Sequence, residues 1–192
     1  MGVCRRLPKL PVKTASSSKK GLCKMAKREN FKSEEHVQSE FEESVICINR
    51  SAKVVKGGKN FSFGALVVVG NRKGRVGYGF GKANEVSDAI RKGGEAARKN
   101  IMDVKLVGTT LPHPVEVRFG GAQVLLRPAS NGTGLIAGGA MRSILELAGV
   151  QDVLAKSLGA SNASNVAKAT FKALQSLATK EDVLAKRGIE SL

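Results

Sequence analysis

The stretch RVGYGFGK, Arg75–Lys82, sets glycine at every second position and ends on a lysine. Such residues suit one kind of chemistry. Glycines let backbone N–H groups close round a phosphate, and a lysine balances its charge. A nucleotide loop of the form G-x-x-x-x-G-K-[ST] ending at Gly81-Lys82 needs glycine at 76 and a hydroxyl at 83. The chain has Val76 and Ala83 there. The dinucleotide pattern G-x-G-x-x-G starts well at Gly77 and Gly79, but its third glycine falls on Lys82. The second glycine-rich segment, ASNGTGLIAGG, has the wrong spacing at Gly132, Gly134 and Gly138, and no lysine follows.

Other catalytic signatures are missing as well. There is no G-x-S-x-G, no H-E-x-x-H and no cysteine with a histidine close by in sequence. His36 and His113 stand far apart, and Cys4, Cys23 and Cys47 form no C-x-x-C pair. The reading is free thiols in a reducing compartment, with neither disulfide framework nor zinc site. His113, between two prolines, reads as a surface imidazole on a rigid turn. No catalytic residue, cofactor or metal is expected.

What remains is cationic side chains beside glycines. Arg50, Lys53, Lys56 and Lys59 flank Gly57-Gly58, and Arg72, Lys73, Arg75 and Lys82 surround the alternating stretch. Glycine allows close backbone approach, and the cations neutralise phosphate. Any one of these lysines alone reads as a solvated surface charge. Two clusters converging on one end of a small sheet read as a binding surface.

The whole chain points the same way. It has 192 residues, a formal net charge of +16 and a pI near 10.1. With 42% hydrophobic residues it can bury a core as one domain or two small ones. A cationic excess of this size draws in polyanions, nucleic acid first. An anionic membrane surface is the weaker rival: no apolar run approaches a membrane span, and no helical segment combines a basic face with a bulky aromatic one. Aromatics make up 4%, too few for base stacking as the main mode. That favours recognition of structured RNA or duplex through shape and backbone.

The elements that must hold these residues follow from periodicity. VICINR reads as a strand, SAKVVKGGKN as a charged loop, and FSFGALVVVG as a strand buried on both faces at Leu66–Val69. NRKG turns the chain, and RVGYGFGK returns as a third strand. EVSDAIRKGGEAARKNI predicts a helix with Val86, Ala89, Ile90, Gly93 and Ala97 on one stripe, and Arg91, Lys92, Arg98 and Lys99 away from it. The Gly93-Gly94 pair, costly inside a helix, predicts close packing on the sheet. TTLPHPV, 109–115, is the expected domain boundary. Beyond it come strands VEVRF and AQVLLRP around Gly120-Gly121. A helix follows with Met141, Ile144, Leu145 and Ala148 inward, then a strand in VQDVLAKSLG. A helix capped by Asn162 carries Val166, Thr170, Leu174 and Leu177, and EDVLAKRG suggests a last short helix. The second half is thus ββαβα.

Residues 1–28 carry nine Lys/Arg and no Asp/Glu. They read as a disordered basic tail, an organelle transit peptide, or a segment upstream of a true start at Met25. Residues 29–43 turn acidic and read as an irregular or helical lead-in.

The segment INRSAKVVKGGKNFSFGALVVVGNRKGRVGYGFGKANEV closely resembles the bacterial-type ribosomal small-subunit protein five family. The likeness continues through LPHPVEVRFGGAQVLLRPASNGTGLIAGGAMRSILELAGV and LAKSLGASNASNVAKATFKAL, so it covers about residues 41–188. Ser51-Ala52, Arg127 and Ala163 depart from the usual pattern. The resemblance implies an α+β protein of two lobes. A double-stranded-RNA-binding-like lobe would occupy 41–104, after an extension at 1–40. A left-handed βαβ lobe would occupy 112–180, with a tail or short helix at 181–192. It implies a ribonucleoprotein component that binds small-subunit rRNA near the decoding region, supports assembly and translational fidelity, and works as a monomer within the ribosome. The expected location is the cytoplasmic ribosome, or an organelle ribosome if the leader is a transit peptide. No membrane partner is implied.

By the same resemblance, Arg50 to Lys59 match a loop associated with spectinomycin resistance. Gly120, Gly121 and Arg127 lie where contact with small-subunit protein four is expected, and protein eight is a second neighbour. An enzyme built on the second lobe is the alternative, resting on fold analogy alone. For RVGYGFGK, alternation puts Val76, Tyr78 and Phe80 on one face, expected under the following helix. Gly77, Gly79 and Gly81 lie on the other, expected to be bare backbone. Either rRNA backbone or a loop of the same chain would cover that glycine face.

Overall fold

A computed structural model describes residues 41–188. The basic leader, most of the acidic segment, Cys4, Cys23, His36 and positions 189–192 lie outside the described residues. The elements run β1 (Glu42–Val55), β2 (Gly58–Gly70), β3 (Arg75–Ala83), α1 (Val86–Lys99), β4 (Ile101–Asp103), β5 (Val115–Phe119), β6 (Ala122–Pro128), β7 (Leu135–Ile136), α2 (Gly139–Ala148), β8 (Val153–Gly159), α3 (Ala163–Gln175) and α4 (Lys180–Arg187). The class is α+β. One sheet is antiparallel in the order β1-β2-β3-β4. The other has the order β5-β6-β8-β7, with β7 parallel to β8 across the α2 connection.

The second strand sits where the sequence puts it. Ala65 to Val69 are all at or below 1% exposure, and their two alternating sets face different partners. Ala65, Val67 and Val69 cluster with Ala89 and Ala97 of α1. Leu66 and Val68 join Val76 in a larger cluster that includes Met141, Ile144 and Leu145 of α2, Phe171 and Leu174 of α3, and Val124 and Leu126 of β6. The layers are therefore α1, first sheet, α2 with α3, second sheet. Tyr78 reaches across the middle of this stack and meets Phe171 with ring centroids 4.5 Å apart.

The glycine face of β3 is not bare. It lies directly under α1, and this corrects the expectation for Gly77, Gly79 and Gly81. A Cβ on Gly79 would collide with the Gly93 carbonyl oxygen and the Ala97 amide nitrogen. One on Gly77 would meet the Ala97 carbonyl, and one on Gly81 the Ala89 carbonyl. The cover is neither rRNA nor a loop but the chain's own helix. The apolar set turns the other way: Val76 is buried among the second lobe's residues, and Phe80 is largely exposed. The helix answers with equally small residues. Gly93 would place a Cβ 2.8 Å from Val67 Cγ2, and Gly94 one 3.0 Å from the Glu43 carboxylate.

Two other expectations change. SAKVVKGGKN is not a loop, because β1 and β2 stay paired from Arg50↔Phe63 out to Val55↔Gly58, around a turn of Lys56 and Gly57. Glu42 and Glu43 are not a lead-in but the start of β1, paired with Gly70 and Val69. The second half follows its pattern. Met141, Ile144, Leu145 and Ala148 are buried, and so are Val166, Thr170, Leu174 and Leu177. The Asn162 side chain caps α3 by accepting from the Ser164 amide. The two-residue strand β7 and the three-residue strand β4 were not foreseen; neither is long enough to show alternation. His113 is half-buried rather than a surface group: its Nε2 accepts from the Ala178 amide at 3.2 Å.

Gly79→Val should therefore destabilise the free protein by about 3 kcal/mol or more, since helix backbone would have to move to admit the side chain. Gly58→Ala, where a Cβ meets nothing within 4 Å, should change stability by no more than about 0.5 kcal/mol. Denaturant unfolding of both variants checks the contrast.

Candidate nucleic-acid interface

Five paired residues of β2, Gly58 to Ser62, extend past the last β2–β3 pair, Phe63↔Ala83. At about 3.4 Å per residue, that is a two-stranded ribbon projecting roughly 17 Å from the sheet. It carries Lys53, Lys56 and Lys59, with Arg50 at its base opposite Phe63, all four cations exposed. The register sorts them. Arg50 and Lys59 share a face with Phe61 and Phe63, the side on which α1 packs. Lys53 shares the opposite face with Asn60 and Ser62, and Lys82 at the ribbon's base points the same way as Phe80. Cations thus stand on both faces, with Lys56 at the tip.

The tip is built by its glycines. Gly57 has φ +93°, a left-handed conformation that costs glycine nothing. Neither Gly57 nor Gly58 has an atom within 4 Å of where a Cβ would be, so the turn is open to an approaching backbone. Two features here escaped the sequence. The Arg50 guanidinium lies over the Phe61 ring at 3.7 Å, which pins the cation while leaving its charge outward. Val54, beside Lys53, is 71% exposed. Only the strand pairing of this segment reveals either one.

Arg72, Lys73 and Arg75 do not join this cluster. They sit at the far end of β2, a dozen residues and about 40 Å of strand from the tip. The expected convergence of the two clusters is therefore wrong; only Lys82 belongs with the ribbon. The β2–β3 turn is instead built into the junction with the second lobe. The Arg72 and Gly74 amides donate to the Leu147 and Ala148 carbonyls, each at 2.9 Å. Arg72 itself has φ +56°. Its guanidinium pairs with Glu42 at 2.7 Å, and Arg75 pairs with Asp103 at 3.0 Å. Gly77 and Gly79, covered by α1, present nothing to a ligand.

In the second lobe, Gly120 (φ +57°) and Gly121 form the tight β5–β6 turn. This turn is partly engaged by its own chain, since the Gly121 carbonyl accepts from the Ala160 amide at 2.9 Å. Arg127 is exposed on β6, opposite Leu154 of β8.

One buried carboxylate could have suggested chemistry. Asp152 is 5% exposed, and its Oδ1 accepts from the amides of Gly134 at 2.9 Å and Gly132 at 3.1 Å. The hydrogen bond from Gly134, with further help from Thr109 and Gly132, holds its pKa below the ordinary carboxylate value against the opposing effect of burial. A general acid would need the reverse shift. Asp152 instead ties the glycine-rich loop to the 109–110 segment, where the Thr110 hydroxyl donates to the Asp152 carbonyl at 2.7 Å.

Comparison with known proteins covers nearly all of the described chain. Residues 41–105 match the family model "Ribosomal protein S5, N-terminal domain", and residues 117–187 match "Ribosomal protein S5, C-terminal domain". The chain is 57% identical over 158 residues to a protein of Protochlamydia amoebophila, spanning 82% of this chain and 95% of that one. It is 54% identical over 155 residues to one from Chlamydia trachomatis serovar D, spanning 80% and 94%. It is 58% identical over 149 residues to one from Marinobacter nauticus, spanning 78% and 90%. Each of these relatives is named "Small ribosomal subunit protein uS5".

A structural Asp152 has a pH signature. Because its folded pKa is depressed, its stabilising effect is complete above the unfolded carboxylate pKa of about 4 and is lost as pH falls through the lower folded value. Unfolding free energies measured from pH 6 downward should fall more steeply for the parent than for Asp152→Asn. The variant should already be less stable at pH 6. Parallel curves would contradict this role.

Proposed function

The chain belongs to the ribosomal protein S5 family, and on that footing we propose that it binds small-subunit rRNA and supports subunit assembly and translational accuracy. Its family makes it a structural protein of the small ribosomal subunit. The finer reading draws its main support from the projecting ribbon. Arg50, Lys53, Lys56, Lys59 and Lys82 place positive charge on both of its faces, beside a glycine turn open to backbone approach. A blade charged on two sides suits a cleft lined by phosphate better than a flat surface. Folded RNA offers such clefts at junctions and irregular helices, where backbone and shape are read rather than base edges. Arg72, Lys73 and Arg75 are proposed only as a secondary contact, because Arg72 and Arg75 share their charge with Glu42 and Asp103. Exposed pairs of this kind are weak and open readily to a phosphate.

The reading extends to protein neighbours. Small-subunit protein four would meet the Gly120-Gly121 turn and Arg127, and protein eight would be a second contact. The ribosome is the place of action.

Binding to a small-subunit rRNA fragment should fall with salt at a log–log slope of about −4 to −5 if roughly six phosphates are neutralised. Replacing Lys53, Lys56 and Lys59 together by Ala should flatten that slope by about 2 to 3. The melting temperature should stay within about 2 °C, because these side chains are exposed and bury nothing. Subunit incorporation or the response to spectinomycin should change with it. A variant with the parent's slope and incorporation would refute the role of the ribbon.

A further inference from the structure

The two faces of the ribbon are not alike. Phe63 packs against the α1 cluster, and from there outward the same face carries Arg50, Ala52 and Val54 of β1 beside Phe61 and Lys59 of β2. The opposite face sets Ser51 and Lys53 against Ser62 and Asn60. There the Ser51 hydroxyl donates to the Ser62 carbonyl at 3.2 Å, and Lys53 stands among small polar groups. That face suits phosphate alone. On the first face Val54 is 71% exposed and Phe61 43%. Phosphate oxygens lose hydration against such groups and gain no partner. Arg50 joins the two kinds of surface. Its guanidinium lies over the Phe61 ring at 3.7 Å, and among the described residues no ion pair involves it. A guanidinium is flat, with its N–H donors round the rim. Phe61 takes one plane, and the exposed side chain turns the other outward. Of the ribbon's cations only Arg50 has a plane to offer; Lys53, Lys56, Lys59 and Lys82 are point charges.

We propose that the Phe61 face of the ribbon is a nucleobase site. One unpaired base of the bound RNA stacks on the open plane of Arg50, over the apolar ground of Ala52 and Val54, and Lys59 meets a phosphate of the same strand. The inference rests on the rRNA reading and deepens it: the polar face holds backbone, and this face holds a base. Bases splayed from loops and bulges stack on arginine planes as they do on aromatic rings, with little regard to sequence. The pair with Phe61 holds the platform in place before the base arrives, so less side-chain freedom is lost on binding. A nucleotide brings a flat apolar face and an anion in one unit, which is the mixture this surface presents. A protein strip would need an apolar side chain and separate carboxylates for Arg50, Lys56 and Lys59. The scarcity of aromatics rules out a row of stacked bases, but one platform needs one ring.

Abasic scanning of a small-subunit rRNA fragment that binds the full chain tests it. Each RNA lacks one base and keeps every phosphate. It is titrated with the parent, with Phe61→Leu and with Arg50→Lys, variants that keep the parent's charge. One unpaired position should cost the parent about tenfold in affinity without changing the salt slope. Both variants should bind the intact fragment about tenfold more weakly, again at the parent's slope, and that base removal should then cost them less than twofold. If every base removal costs parent and variants alike, or if the variants bind the intact fragment as the parent does, the platform is refuted while the rRNA reading stands. A parent whose binding ignores salt would overturn both. Both variants should melt within about 2 °C of the parent, as exposed positions allow. A second arm does not depend on their folding or on the fragment. A benzophenone amino acid at position 54, in whole small subunits, should attach to rRNA on irradiation. Attachment to a protein instead, or to nothing in subunits that contain the chain, would overturn the base site.

Discussion

Everything in this molecule depends on β2 being covered on both sides. Leu66, Val67, Val68 and Val69 are fully buried, and burial of four such side chains is worth roughly 6–12 kcal/mol before entropy is charged against it. That is comparable with the whole net stability of an ordinary domain. The constraint this sets is geometric. One face of the strand needs a helix at close range and the other needs the second lobe. The glycines of β3 satisfy the first demand, because a strand without side chains on that face lets α1 settle onto backbone. The β2–β3 turn satisfies the second, since it hydrogen-bonds into the end of α2 and fixes the two lobes in one register. The left-handed Gly149 that ends α2 is part of that fit. A Cβ there would strike the Arg72 carbonyl.

This explains why the alternating stretch was legible as a strand and illegible as to its facing. Val76, Tyr78 and Phe80 look like the side a helix should cover, and an ordinary amphipathic helix would cover it. The inner stripe of α1 is Ala89, Gly93 and Ala97, which is too small to fill space above large side chains. Small residues on a helix call for small residues opposite, and the matching partner was the glycine row. The signal was present in the Gly93-Gly94 pair, read correctly as close packing but not carried across to the strand it packs on. The apolar row was then free to serve the core shared with the second lobe. No local pattern shows that core, because it depends on where α2 and α3 lie.

The second half was read more fully, for the converse reason. Its helices bury ordinary aliphatic stripes at helical spacing, and Asn162 caps α3 in the usual way. Period alone was enough. The ribbon was the harder case. Both of its faces meet solvent, so residues 50–59 have no alternation to announce a strand and read as a charged loop. Pairing with β2 holds them extended all the same, because backbone hydrogen bonds do not require a buried face. The Gly57 turn closes the ribbon in two residues. The cationic residues were found by type, but their sorting onto two faces and their distance from Arg72 and Arg75 could come only from register.

Register also governs the electrostatics. Among the described residues, the ion pairs Arg72–Glu42, Arg75–Asp103 and Arg98–Glu43 all gather near the end of the first sheet away from the ribbon. No ion pair among the described residues involves Arg50, Lys53, Lys56, Lys59 or Lys82. The acids of β1 and β4 thus balance cations at one end of the sheet and leave those of the ribbon unbalanced at the other. A strongly basic protein arranged in this way has a direction as well as a charge: its field presents the ribbon first to a polyanion. The ribbon buries nothing, so its charges can serve binding without drawing on the core. The core, in turn, keeps the ribbon's base in place through β2, which is buried at one end and projects at the other.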